Sequence, residues 1–171
     1  MHTLARLQQQ LTQAAWGRGR TAERLLTAVL AEGHVLLEDV PGVGKTSLVT
    51  RLAQALGVGF QRIQCTPDLL PSDVTGYTYY EPQVQTFTFR PGPVLTNLVL
   101  VDEINRTSPK TQASLLEAME ERQVTVDGVV HPLPWPFMVL ATENLAPGPG
   151  SPPPRCRARS RAAWRRCARS A

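Results

Sequence analysis

Two stretches of this chain carry residue types and spacings suited to phosphate chemistry. The first is Asp39-Val40-Pro41-Gly42-Val43-Gly44-Lys45-Thr46-Ser47, which follows the apolar run Val35-Leu36-Leu37 and opens a segment of helical periodicity. Glycines let the backbone curl so that successive N–H groups converge on phosphate oxygens, and a helix start adds partial positive charge at that point. That context is what a phosphate-binding loop requires. Pro41, Gly42, Val43, Gly44, Lys45, Thr46 and Ser47 are therefore the candidate ATP-binding residues. Lys45 would bridge the β- and γ-phosphates, and the Thr46 hydroxyl would ligate Mg2+. The general pattern asks for glycine where Asp39 stands, at the strand exit, and aspartate tolerates unusual backbone angles better than most residues. A chance glycine-rich turn is the competing reading, and Gly-Lys-Thr in register with the following helix argues against it.

The second stretch is Leu98-Val99-Leu100-Val101-Asp102-Glu103, which sets two acids at the end of a buried strand. In open parallel sheets ligands bind beyond the carboxyl ends of the strands, where a phosphate loop also lies. Asp102 would hold Mg2+ through its water shell, and Glu103 would orient and polarise the attacking water. Taken alone, such a pair is often just solvated. Asn144, at the end of a third apolar run, would present an amide near the γ-phosphate, although a lone Asn there is usually a turn residue.

These groups need a scaffold, and the patterning supplies one. Leu4–Gln13 reads as a polar helix, and Ala22–Ala31 as a helix with Leu25, Leu26, Val29 and Leu30 on one stripe. Lys45–Leu56 places Leu48, Val49, Leu52, Ala55 and Leu56 on one face. Tyr77–Phe89 reads as an inserted β-hairpin turning at Glu81-Pro82-Gln83. Ser108-Pro109 is a helix start, with Leu115, Leu116 and Met119 packing behind it. Asp127-Gly128 between β-branched residues marks a second hairpin over 124–130. Leu98–Val101 and Phe137–Thr142 read as strands buried on both faces. Strands alternating with helices imply an α/β fold with a parallel sheet flanked by helices and two inserted β-hairpins.

Composition narrows the function classes. Across 171 residues no run approaches the length of a membrane helix, and the N-terminus lacks the apolar run of a secretion signal, so a cytoplasmic location is expected. Cys65, Cys156 and Cys167 are too few and scattered for a disulfide framework or zinc site, and His2, His34 and His131 lack metal-ligand spacing. The net charge of +4 is uneven. Residues 1–146 hold eleven Lys and Arg against fourteen Asp and Glu, a balance of −3, whereas residues 147–171 hold seven Arg and no acid. The acidic body argues against nucleic acid as a partner.

With these elements placed, the sequence closely resembles the MoxR family of AAA+ ATPases. The resemblance is carried by WGRGRTAERLLTAVLAEGHVLLEDVPGVGKTSL, DLLPSDVTGY, FRPGPVLTNLVLVDEINRTSPKTQASLLEAMEERQVTVDG and PFMVLATEN, and runs from about Ala15 to Asn144. Asp39 is itself a variant associated with this family. The resemblance implies that Gly17 and Arg18 lie beside the adenine and that Asn144 is the sensor-1 residue. It also implies a ring oligomer, usually a hexamer, and a chaperone-like motor that matures or activates metalloenzyme complexes with a von Willebrand factor A domain partner. The inserted hairpins are then expected to face the pore or client.

Beyond Asn144 the resemblance stops. Residues 147–171 use only Pro, Gly, Ser, Arg, Ala, Cys and Trp, a composition expected to be disordered. The segment is read as an out-of-frame tail on a core at 1–146, with a functional basic arm as the rival reading. The family's helical lid, arginine finger and sensor-2 arginine have no counterpart here, and Arg106 and Arg122 are assigned to neither arginine role. The expected function is Mg-dependent ATP hydrolysis. The alternative is a nucleotide-binding fragment with impaired turnover, and a nucleic-acid-stimulated, helicase-like ATPase is weaker because the body is acidic.

Overall fold

The computed structural model describes residues 19–39, 45–144 and 155–159. The helix expected at Leu4–Gln13 lies outside them. Along the chain run α1 (Gly19–Leu30), β1 (His34–Asp39), α2 (Lys45–Leu56), β2 (Phe60–Gln64), α3 (Pro71–Thr75), β3 (Gly76–Glu81), β4 (Thr86–Pro91) and β5 (Leu98–Asp102). After a 3-10 turn at Ile104–Arg106 come α4 (Pro109–Glu121), β6 (Gln123–Val126), β7 (Val129–Pro132), β8 (Met138–Asn144) and β9 (Arg155–Arg159).

Five strands form one sheet in the order β2-β5-β8-β1-β9. β2, β5, β8 and β1 run parallel to one another. Successive side chains of a strand point to opposite faces, so one apolar run fills two cores. Leu98 and Leu100 join Val35, Leu37 and Leu140 against α1 and α2, where Leu25, Val49 and Leu52 pack. Val99 and Val101 join Val139 and Ala141 on the other face against Leu115 and Met119 of α4. Every residue of β5 is buried, as its continuous apolar run requires. Each such leucine contributes about 1.5–3 kcal/mol through burial. Leu30, expected on the buried stripe of α1, is 66% exposed instead. It is the last residue of the helix, and the small Ala28 fills the core position.

The helix start at Ser108 forms as expected, its Oγ accepting from the Thr111 N–H with Pro109 in the first turn. Both hairpins are present, β3 with β4 and β6 with β7. The second turns on Asp127 and Gly128, both at positive φ. The first is pinned at its base, where a Cβ on Gly76 would meet the Arg90 carbonyl oxygen at 2.3 Å. Phe89 and His131 stack at 3.8 Å and so join the two hairpins.

Two strands lie outside the elements expected from the sequence. The periodicity did not indicate β2, because Phe60-Gln61-Arg62-Ile63-Gln64 has few apolar residues; as an edge strand it buries only Ile63. Within the segment 147–171, Arg155–Arg159 pair antiparallel to β1 from His34↔Arg159 to Glu38↔Arg155. A ladder is made by backbone N–H and C=O groups, so a strand can add to the free side of β1 without apolar side chains of its own. Among the described residues no helix is long and apolar enough to cross a membrane.

Candidate nucleotide site at the carboxyl edge of the sheet

The carboxyl ends of β2, β5, β8 and β1 lie at one edge of the sheet because these strands run parallel. β1 ends at Asp39, opposite Asn144 of β8, and α2 begins at Lys45. Thr46, in the first turn of α2, accepts a hydrogen bond at its carbonyl from the Thr50 hydroxyl at 2.9 Å. Gly17, Arg18, Pro41, Gly42, Val43 and Gly44 lie outside the described residues, as do the side chains of Lys45 and Asn144. Ser47 is exposed and Thr46 half-buried.

The acids are described in full. Asp102 ends β5 and is 9% exposed. Its Oδ1 accepts from the Thr142 hydroxyl at 3.1 Å, and its Oδ2 accepts from Arg62 Nε at 2.7 Å. The next residue, Glu103, takes a left-handed conformation with φ 58° and ψ 49°. Such a conformation is uncommon for a side chain of this size and persists where neighbours over-determine it. Here the Glu103 N–H donates to Thr142 Oγ1 at 2.9 Å, while its carbonyl accepts from the Arg106 N–H at 2.9 Å. The turn separates two adjacent carboxylates. Asp102 stays within the sheet edge, and Glu103 Oε2 accepts from Gln64 Nε2 at 3.2 Å and Arg106 Nη1 at 2.8 Å.

Thr142 is therefore the joint between the two acids, since one hydroxyl donates to Asp102 and accepts from the backbone of Glu103. The sequence reading did not single out Thr142, Arg62 or Gln64. Thr142 had a usable signal: it lies two residues before Asn144 on the same strand, and alternation puts both on one face. Arg62 and Gln64 had none, because their strand was not recognised.

Cys65 follows β2, and its N–H donates to the Asp102 carbonyl at 2.9 Å. Burial pushes its thiol up to about 11, with the negative charges of Asp102 and Glu103 adding to the effect. The thiolate is the nucleophile in cysteine chemistry, so a thiol held protonated here is structural.

A divalent cation that prefers oxygen donors suits this edge. Mg2+ is commonly held by one or two carboxylates together with substrate phosphates rather than by an all-protein cage. Asp102 offers a buried carboxylate whose Oδ1 is held by Thr142, and Thr46 stands in the first turn of α2.

Residues 34–153 match the ATPase family associated with various cellular activities (AAA). The chain is 56% identical over 141 residues to YeaC of Bacillus subtilis, which covers 82% of this chain and 44% of that protein. It is 45% identical over 144 residues to Chaperone MoxR1 of Mycobacterium tuberculosis, covering 84% of this chain and 38% of that one. A crystal structure from Cytophaga hutchinsonii, described as that of a candidate ATPase, matches with a TM-score of 0.76 at 41% identity, over 89% of this chain and 46% of the other. The chain spans less than half the length of these relatives.

Proposed function

This chain belongs to the MoxR type of AAA ATPases, and from that premise we propose that it binds Mg-ATP at the carboxyl edge of its sheet and hydrolyses the terminal phosphate. The observation that carries the reading is the pair Asp102 and Glu103 at the end of β5, tied together by Thr142. Lys45 and the N–H groups of Gly42–Ser47 hold the phosphates, with Pro41 setting the turn into the loop, and Gly17 and Arg18 lie beside the adenine. Thr46 and Asp102 hold Mg2+, which when bound neutralises charge developing on the transferred phosphoryl group. Glu103 orients the attacking water by accepting a hydrogen bond from it, and Asn144 presents its amide near the γ-phosphate from β8. A water aligned in line with the phosphate is what the reaction lacks without such a carboxylate.

The wider reading follows the relative named as a chaperone. ATP turnover would drive remodelling of a protein client by a ring of subunits, with a von Willebrand factor A domain protein as partner and a metalloenzyme complex as client. The hairpins carry exposed Tyr80 and Phe87, and Val129 and Val130, as a client-facing surface would.

Lys45→Ala tests the binding half. Loss of the Lys45 ammonium that this reading sets against the β- and γ-phosphates should abolish measurable Mg-ATP affinity in titration calorimetry. Unchanged affinity would overturn the assignment of the phosphate loop.

A further inference from the structure

We propose that Arg62 is a latch on the metal carboxylate: it holds Asp102 when no divalent cation is present and gives it up when one arrives. The inference rests on the reading of Asp102 as the Mg2+ carboxylate. Arg62 is then a positioning residue.

The geometry begins with strand register. β2 pairs with β5 so that Gln64 stands opposite Asp102 and Arg62 opposite Leu100. The Arg62 side chain must therefore reach along the strand to the carboxyl edge, where Nε donates to Asp102 Oδ2 at 2.7 Å. Its Nη2 donates to Gln64 Oε1 at 2.9 Å. With Oε1 so engaged, Gln64 turns its Nε2 to Glu103 Oε2 at 3.2 Å. One guanidinium thus connects to both acids, directly to Asp102 and through Gln64 to Glu103. The planar fork presents these donors in fixed geometry, whereas an ammonium on a flexible stem is not pre-organised for the pair.

The two ends of the ion pair differ in freedom. The Asp102 side chain is 13% exposed, whereas that of Arg62 is 49% exposed. Thr142 fixes Asp102 from its other oxygen. When a divalent cation approaches the carboxylate, the guanidinium is the partner able to move into water. It also has reason to move, because two cations on one carboxylate repel each other over a few ångströms. A half-exposed ion pair is weak enough to exchange, and a deeply buried one would not be. Its departure also removes the anchor on Gln64 Oε1 and loosens the bond from Gln64 to Glu103.

The test uses the full chain with ADP, and Mn2+ as the probe, its free concentration followed by electron paramagnetic resonance. Arg62→Gln removes the competing cation and should tighten Mn2+ binding about 1.5–5-fold, the range a half-exposed ion pair supports. Arg62→Lys keeps the charge but loses the fork, so it should tighten binding by less than Arg62→Gln. Asp102→Asn should weaken it. A purely structural role predicts the opposite sign for both arginine variants, since local disorder lowers metal affinity. Melting in EDTA shows whether each variant folds, and if Arg62→Gln does not, Arg62→Lys decides by the same sign. Unchanged or weaker Mn2+ binding in a folded Arg62 variant, with Asp102→Asn still weakened, overturns the latch and leaves the metal site standing. Unchanged binding in Asp102→Asn overturns the metal assignment and the latch with it.

Discussion

The two edges of the parallel sheet use polar side chains in opposite ways. At the amino edge His34 and Asn97 are tied to backbone, although the more exposed Glu32 beside them pairs with the side chains of Arg122 and Trp135. His34, 2% exposed at the start of β1, accepts from the Val139 N–H at its Nδ1 at 3.0 Å. The ring proton therefore sits on Nε2, which donates to the Met119 carbonyl at 3.3 Å. Nearby, Asn97 accepts from the Gly59 N–H and donates to the Pro136 carbonyl. At the carboxyl edge the bonds run from side chain to side chain, through Thr142, Asp102, Arg62, Gln64, Glu103 and Arg106. Backbone partners cannot move away without unfolding, whereas side chains can exchange one partner for another. One edge is built to hold, and the other to be rearranged by what binds there.

The largest expected effect breaks the amino edge. His34→Leu leaves the Val139 N–H and the Met119 carbonyl without their imidazole partner in a buried site. It should cost about 2–5 kcal/mol of stability, the penalty for two buried polar groups left unpaired. Urea unfolding measures it, and Mg-ATP affinity of the folded fraction should be unaltered. A loss below about 1 kcal/mol, less than one such group is worth, would contradict the contrast between the edges.

A smaller effect is expected at the carboxyl edge. Thr142→Val keeps the shape but removes the donor to Asp102 and the acceptor for the Glu103 N–H. The expected cost is about 1–3 kcal/mol by the same measurement, because the Asp102 carboxylate and Glu103 side chain retain their other partners. Unlike the histidine variant, this one should also weaken divalent-cation binding. Equal stability losses with no change in metal binding would make the two edges alike.

The same contrast explains what could be seen in the chain before its structure. Asp102 and Glu103 stood out because they end a run of four apolar residues, and a strand buried on both faces has few other ways to be written. The loop into α2 stood out because glycines and lysine there answer to phosphate geometry rather than to packing. The hairpin at Asp127-Gly128 was legible because a tight turn at positive φ restricts residue choice so narrowly. Arg62 and Gln64 were not legible. An edge strand needs little apolar content, so β2 lacks the pattern that would have placed them beside the acids. His34 gave no sign of its role either, since its partners are backbone atoms far away in sequence. The strand at Arg155–Arg159 was hidden for a related reason, its ladder being independent of side-chain type.

We propose that the rearrangeable edge performs ATP hydrolysis, with Glu103 acting on the water rather than on the nucleotide. Glu103→Gln separates the two, because an amide keeps the shape of the carboxylate and polarises a water far less. The measurement is Mg-ATP affinity and phosphate release, side by side, for the natural chain and this variant. Affinity should stay unchanged within about twofold and release should slow at least tenfold, equivalent to about 1.4 kcal/mol of lost transition-state stabilisation. Phosphate release at the natural rate, or loss of ATP binding along with it, would contradict the account.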